Sequence, residues 1–514
     1  MKDYATAEGT ARFCKRMIEQ GVPKTAFRPL GLSGWITSAL GFGSYRISRE
    51  EPEHRNALEK ALLDGCNLID TSSNYAGGES EACIGEVLSC LFKKEKLRRD
   101  EVVVVSKVGY IQGSELEQVK ELDKAAKSYA NIVKYSDDCW HCISPGFINE
   151  QLTRSLERLG LSRLDCYLLH NPEHFLAFKK KAPDALVAKF RMEFYRRIHE
   201  AFSALEEQVT QGRISCYGIS SNTLASPIDS PEAISLTKLC AIARDVARER
   251  TGNPNEHHFA VIELPINLFE GQAVLEQNNG EQDNQTVLEF AQEKNIIVLS
   301  NRPLNTVLPP GQLLRLIDFA QTASEEPLDG LLAQVAKLEH AFVSEIAPHI
   351  DTAGQDIKAS QFFRWSAELN QSALQNLRFE QWKQLESEII VPQLHCLIDE
   401  LDRQLQGELA VKWKSWKNLY LTEIEKFFGS IRRGCERHSS EENRSIAKLV
   451  DRFLPHELKH ESLSRKALAI LINTRGISCI LNGMRIPDYV DDSLGAMYLP
   501  LFNLDLKIYR TFKR

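Results

Sequence analysis

Residues 53–70 read E-H-R-N-A-L-E-K-A-L-L-D-G-C-N-L-I-D, a helix pattern that stops at Gly65 and gives way to a short apolar run. Gly65 stands where a helix C-cap belongs, and C-N-L-I-D has the character of a buried strand. The same step recurs on both sides of it. Apolar runs appear at 39–45 (A-L-G-F-G-S-Y), 66–70, 102–107 (V-V-V-V-S-K), 164–170 (L-D-C-Y-L-L-H), 214–220 (I-S-C-Y-G-I-S), 259–264 (F-A-V-I-E-L) and 296–300 (I-I-V-L-S). Helix patterns lie between most of them. One of these, S-P-G-F-I-N-E-Q-L-T-R-S-L-E-R-L-G, puts Ser144 at the N-cap, Pro145 at the first helical position and Gly160 past the end. Strand and helix in repeated alternation make βα units and a parallel sheet. An eighth run, I-S-C-I-L-N-G at 477–483, follows the apolar helix pattern L-S-R-K-A-L-A-I-L-I-N and precedes R-I-P-D-Y-V-D-D-S-L-G-A-M. Eight βα units predict an α/β fold, a (β/α)8 TIM barrel, in preference to a doubly wound sheet.

The barrel pattern covers 35–304 and 458–514, and residues 1–34 read as an N-terminal helical extension. The block 305–457 is different, rich in Gln, Glu and Leu with helical spacing throughout, and predicts a long all-helical insertion after strand seven. Three stripes are expected to face its core: Leu331, Val335, Leu338, Phe342 and Ile346; Leu385, Ile389, Leu394, Leu397, Leu401 and Leu405; and Trp413, Trp416, Tyr420, Ile424, Phe427 and Ile431. Leaving from the end of strand seven, this block is expected beside the barrel mouth as a lid, an oligomer arm or a partner surface. A shorter insertion, about 111–143, follows Lys107.

Of the 514 residues 43% are hydrophobic, enough for a globular core, yet no apolar run reaches the ~20 residues of a membrane helix. Lys and Arg total 63 against 70 Asp and Glu, a net charge of −7 that leaves no footprint for nucleic acid or anionic membrane. The start M-K-D-Y-A-T-A-E-G-T has no apolar signal region, and the 12 cysteines fall mostly inside apolar segments, so a cytoplasmic protein with reduced thiols is expected. Cys139 and Cys142 form a C-x-x-C, a spacing used by redox dithiols and by half of a zinc site. No second pair with metal-ligand spacing follows, so the pair reads as part of a packed loop and no metal is expected.

Four polar residues sit near the ends of separate apolar runs: Asp70, Tyr75, Lys107 and His170. On strand C-terminal ends they share the catalytic rim of a barrel. A phenol beside an ammonium, an imidazole and a carboxylate can move a proton. The ammonium of Lys107, held by Asp70, is expected to pull the Tyr75 pKa down. His170 is expected to hydrogen-bond the phenol or a substrate oxygen. A carbonyl protonated there needs a hydride at its carbon, and proteins own no hydride donor, so a nicotinamide cofactor is implied.

The segments L-G-F-G-S-Y, I-D-T-S-S-N-Y-A-G-G-E-S-E-A-C-I-G-E-V-L, V-V-S-K-V-G, D-C-Y-L-L-H-N-P, Y-G-I-S-S-N and I-L-N-G-M-R resemble the aldo-keto reductase superfamily and appear in its order. The resemblance implies a TIM barrel, a nicotinamide cofactor extended across its mouth and reversible carbonyl reduction. It implies Tyr75 as proton donor, Lys107 and Asp70 as its tuning groups, and His170 as the group orienting the substrate carbonyl. It also implies cofactor contacts from Gly43, Ser44 and Tyr45 in the first loop, from Asp70, from Ser221 (or its neighbour Ser220) with Asn222 as the carboxamide clamp, from Pro303 and Leu304 along the pyrophosphate, and from Gly483 and Arg485 at the adenosine phosphate. Arg485 favours NADP, with NAD as the alternative. The chain departs from the pattern in three places. Glu263 replaces the usual carboxamide-binding Gln, Asn301 and Arg302 stand where an aromatic residue commonly stacks on the nicotinamide, and Asp492 and Ser493 replace a Glu-Asn pair near the adenine.

The leading expectation is an NAD(P)-dependent oxidoreductase acting on a small aldehyde, ketone or sugar. The alternative is a cofactor-binding regulatory or scaffold subunit, as in the related potassium-channel beta subunits. A thiol role for Cys139 and Cys142 is the third reading.

Overall fold

The computed structural model describes residues 2–125, 127–179, 186–308, 312–319, 328–350, 358–369, 374 and 377–512. The chain divides into two compact units, Met1–Leu304 with Phe453–Arg514, and Asn305–Arg452.

The first unit is built on eight strands: β1 (Leu40–Gly43), β2 (Leu68–Asp70), β3 (Val103–Val108), β4 (Leu164–His170), β5 (Ile214–Ser220), β6 (Phe259–Pro265), β7 (Ile297–Asn301) and β8 (Cys479–Gly483). Each pairs in parallel with its neighbours in sequence, and β8 closes on β1. The eight expected runs are therefore the eight barrel strands. Their helices follow in order: α1 (Pro52–Leu63), α2 (Glu79–Lys93), α3 (Pro145–Leu159), α4 (Val187–Thr210), α5 (Leu236–Thr251), α6 (Val287–Glu293), α7 (Leu463–Ile472) and α8 (Pro487–Gly495). Short strands flanked by amphipathic helices bury both faces of the sheet, which is why the strands read as continuous apolar runs.

Local signals stop these helices where the residues demand. α1 ends at Leu63 and Gly65 follows with φ 116°; α3 starts after Ser144 with Pro145 in its first turn and closes on Gly160 at φ 63°. The Ser144 hydroxyl does not cap α3, because it lies 3.2 Å from the Cys142 sulfur. On α2, a Cβ at Gly85 would come within 2.6 Å of the Arg158 carbonyl oxygen, so only glycine permits this approach of α2 to α3. Glu81 on the same helix is buried and accepts from Ser106 Oγ at 2.5 Å and Arg158 Nε at 2.7 Å.

The segment before the barrel is only part helix. After Ala7–Glu19, Phe27–Pro29 pairs antiparallel with Ile36–Ser38 across a turn containing Gly34 at φ 75°. Ala5, Leu30 and Trp35 pack with Val103, Cys166, Val261 and Cys479, closing the barrel interior at the strand N-terminal end. Trp35 Nε1 donates to the Ala5 carbonyl at 3.0 Å, and the Ala5 amide donates to buried Asp165 at 2.8 Å. Beyond β3, the strands Tyr110–Gln112, Val133–Lys134 and Cys139–His141 form a small antiparallel sheet, with the helix Gly113–Lys124 between the first two.

The second unit corrects the all-helical expectation. It opens with an antiparallel hairpin, Asn305–Leu308 against Gln312–Arg315, before the helices Leu328–Glu345, Phe379–Leu385, Val391–Gln404 and Gly407–Val450. Its core is aromatic: Trp416 stacks on Tyr420 with ring centroids 4.6 Å apart and on Trp413 at 5.4 Å, and Phe342 and Phe363 pack against this stack. Ile389, expected in the core stripe, is 47% exposed, while Ile390 is 1% exposed. A π turn over Glu386–Ile390 causes the slip, since one extra residue in the turn rotates the apolar face by one position ahead of Pro392. Among the described residues no helix is long and apolar enough to cross a membrane.

Candidate active site

Parallel strands of a barrel send alternate side chains inward and release the last of them at one rim. The register aligns these ends. Asp70 sits opposite Val105 on β3, Lys107 opposite Leu168 on β4, His170 opposite Ser220 on β5, and Ser220 opposite Glu263 on β6. Tyr75 follows β2 by one tight loop, where Ala76 takes a left-handed backbone at φ 49°. The four sequence-predicted residues thus come together at the strand C-terminal ends.

Lys107 is fully buried and is the hub. Its Nζ lies 2.6 Å from Asp70 Oδ1, donates to the Thr71 carbonyl at 3.1 Å and donates to Tyr75 Oη at 3.2 Å. A second carboxylate joins, with Glu263 Oε2 3.2 Å from the same nitrogen. Asn301 Nδ2 donates to the other Glu263 oxygen at 2.7 Å. One ammonium therefore faces two buried carboxylates. Burial, and then Glu263, push the Asp70 carboxyl well above the usual range against the pull of Lys107.

The expected depression of the Tyr75 pKa is not what these contacts produce. Burial of the hydroxyl raises it above the ordinary value. Lys107 pulls it down, but Asp70 and Glu263 both push it up. The phenol is a neutral acid at neutral pH. Because its oxygen accepts from the lysine, its own proton stays free for another acceptor.

His170 Nδ1 lies 3.0 Å from Ser72 Oγ, and that hydroxyl donates to Asn74 Oδ1 at 2.7 Å. Burial and the nearby Lys107 hold the imidazole neutral, well below its usual pKa. Its ring meets Tyr75 edge to face at 5.8 Å and Tyr110 at 4.7 Å. Tyr110 is the centre of an aromatic wall that the sequence reading missed. His141 and His174 pack on it at 5.8 and 5.2 Å, and His174 Nε2 lies 2.8 Å from its hydroxyl. Burial pushes His141 down to about 3 and His174 down to about 4, so both are neutral. Gly109 admits this wall, since a Cβ there would meet His141 Nε2 at 2.6 Å. No periodicity marks Tyr110, His141 and His174, because they come from a small sheet and the first turn of the short helix His174–Lys179; the only signal was that Tyr110 and His174 fall just after strands three and four.

The expected cofactor residues fall along the same rim. Gly43 ends β1, and Ser44 is buried with its hydroxyl donating to the Asp70 carbonyl at 2.7 Å, so it ties β1 to β2. Tyr45 is exposed and lies edge-on to Tyr75 at 5.1 Å. Ser221 is buried, its amide donating to the Glu263 carbonyl at 2.9 Å. The Asn222 amide donates to Glu173 at 2.8 Å, and its side-chain oxygen accepts from Arg302 at 3.2 Å. Glu173, also missed, is buried under this loop and pushed up to about 7 by desolvation. Pro303 and Leu304 are buried after β7, Gly483 ends β8, and Arg485 precedes α8, half-exposed and without an ion pair among the described residues. Asp492 accepts from Ser464 Oγ at 2.5 Å and Ser493 from Asn482 at 2.7 Å, so both serve α8 packing.

Cys139 and Cys142 are buried free thiols, raised by desolvation, and no metal-ligand cluster is present among the described residues. A cavity of about 1010 Å³ opens at the opposite end of the barrel, lined by Trp35, Arg163, His257 and Phe259, remote in the fold from Tyr75.

Comparison with known proteins gives one consistent result. The profile described as "Aldo/keto reductase family" matches residues 39–327. The NADH-specific methylglyoxal reductase of Escherichia coli K12 is 27% identical over 201 residues, 37% of this chain and 50% of that protein. A putative voltage-gated potassium channel subunit beta of Schizosaccharomyces pombe is 30% identical over 151 residues, 29% of this chain and 37% of that protein. The chain spans half the length or less of these two curated relatives. Among solved structures, aldo-keto reductase AKR11C1 of Bacillus halodurans aligns with a TM-score of 0.44 at 16% identity, covering 95% of this chain and 96% of that one.

Proposed function

This chain belongs to the aldo/keto reductase family, and from that premise we propose that it is an NAD(P)-dependent oxidoreductase interconverting a carbonyl and an alcohol at Tyr75. The contact of Lys107 Nζ with Tyr75 Oη, 3.2 Å, carries the reading. The lysine donates to the phenol and leaves the phenol proton for a substrate oxygen. In reduction Tyr75 is the general acid; in oxidation it takes the proton back. Asp70 holds Lys107 in place at 2.6 Å. His170, neutral and anchored by Ser72, orients the substrate oxygen, and Tyr45 and Tyr110 wall the pocket.

The residues fit a nicotinamide. Asn301 Oδ1 is buried and receives no hydrogen bond among the described residues, an acceptor suited to the amino group of a carboxamide, while Glu263 Oε2 beside it faces the Lys107 ammonium at 3.2 Å. Bound there, the cofactor supplies or accepts the hydride. Ser221 and Asn222 complete the clamp, Gly43, Ser44 and Tyr45 line the ring, Pro303 and Leu304 follow the pyrophosphate, and Gly483 and Arg485 hold the adenosine end. The guanidinium of Arg485, without an ion pair among the described residues, favours NADP over NAD.

Tyr75→Phe is expected to lower turnover by about 10²–10⁴-fold, the range for a lost general acid, with nucleotide affinity near that of the unaltered chain. Full activity in this variant, read by NAD(P)H absorbance against a panel of aldehydes and sugars, sinks the assignment. The likeness to the fission yeast channel-subunit sequence favours a second reading, a cofactor-binding regulatory subunit. Nucleotide binding without turnover on any carbonyl would decide for it.

A further inference from the structure

We propose that Glu263 makes this site select the oxidised, cationic nicotinamide over the reduced, neutral one. The inference rests on the cofactor reading above and adds a direction to it.

Glu263 is 1% exposed and Asp70 3%, and among the described residues Lys107 is the only cation paired with either. One ammonium balances one carboxylate and leaves the second without a counter-charge. A buried unpaired carboxylate is costly, so the pair either holds a proton or draws in a positive charge. The two redox forms of a nicotinamide differ at the ring by one such charge.

The geometry puts the charge in range. Glu263 Oε2 lies 3.2 Å from Lys107 Nζ, which lies 3.2 Å from Tyr75 Oη. A ring that exchanges hydride with a carbon whose oxygen rests on Tyr75 would lie on the same rim as that carboxylate. At an effective dielectric near 20, a unit charge at ~10 Å shifts an equilibrium by about tenfold. Asn301 holds Glu263 in place through 2.7 Å, so the carboxylate cannot swing away without losing that bond.

The groups facing Glu263 are Lys107 from β3, Asp70 from β2, Tyr75 from the loop after β2 and the neutral amide of Asn301 from β7; its register partner on β5 is Ser220. Burial holds the Asp70 carboxyl well above the usual range, and a proton there leaves when the cation binds. The preference for the oxidised form therefore grows as pH rises.

The test is binding, without turnover. Dissociation constants of NADP⁺ and NADPH, and of NAD⁺ and NADH, are measured by calorimetry on the full chain and on Glu263→Gln, from about pH 6 to pH 9. Glu263→Gln is isosteric and keeps an acceptor for Asn301. It is expected to lose about tenfold of oxidised-over-reduced preference at the alkaline end and to flatten the pH dependence of the ratio. An unchanged ratio across the pH range overturns the proposal while leaving the proposed reaction intact. Failure of every nucleotide to bind overturns both, and a fully active Tyr75→Phe overturns the reaction alone. Should Glu263→Gln not fold, Asp70→Asn removes the other carboxylate and is expected to move the ratio the same way; no movement there is equally fatal.

Discussion

Glu339 in the Asn305–Arg452 unit and Glu263 in the barrel are both buried carboxylates, satisfied in opposite ways. Glu339 accepts from the Ser366 amide at 3.2 Å, from the Ser366 hydroxyl and from Tyr420 Oη at 2.9 Å. Its partners are neutral and belong to the same unit, and burial raises its pKa. Glu263 faces, at 3.2 Å, an ammonium that Asp70 already holds at 2.6 Å. A structural carboxylate is closed by the fold around it. Glu263 instead shares one buried cation with a second carboxylate.

The largest expected effect would break the barrel half of this contrast. Lys107→Met leaves two buried carboxylates without a cation. Breaking a buried pair in this way costs about 3–5 kcal/mol, so urea unfolding should show a sharply lower midpoint, with carbonyl reduction lost as well. A stable, active variant would mean that the lysine is not the hub. A smaller effect sharpens the other half. Glu339→Ala strands the Ser366 donors and the Tyr420 hydroxyl, and should cost ~1–3 kcal/mol in the same measurement. A larger loss than that of Lys107→Met would invert the comparison. The smallest effect is in the pH profile of reduction. The raised Tyr75 pKa keeps the phenol protonated through neutral pH, so log kcat/KM should stay level and fall only as the phenol ionises. Removing a carboxylate makes the phenolate less unfavourable, so Glu263→Gln should move that alkaline fall to lower pH. A fall moved upward would contradict the contacts around Lys107.

Much of the barrel was legible in the residues. Apolar runs ending in Asp70, Lys107 and His170 carry their own boundary signals, and glycines such as Gly65 and Gly160 punctuate the helices that follow. The apolar stripes of the second unit were legible too, except where the π turn moved the buried position from Ile389 to Ile390; a one-residue slip in helical phase leaves no mark in composition. The hairpin Asn305–Leu308 with Gln312–Arg315 went unread because two short strands without alternation look like the start of a helical block. The wall of Tyr110, His141 and His174 escaped for a similar reason. Its members lie far apart in sequence, on a small sheet and at the start of the short helix His174–Lys179.

By itself, then, the sequence determined the order of strands and helices, the rim on which Asp70, Tyr75, Lys107 and His170 emerge, and the family to which the chain belongs. These follow from local periodicity and from motifs carried in short segments. Only the tertiary structure decided that Glu263 reaches Lys107, that the phenol of Tyr75 is held neutral instead of being depressed, and that neutral histidines pack against Tyr75 and Tyr110. Those outcomes depend on distances between groups on different strands and on how far each is removed from water, and neither quantity exists until the barrel closes.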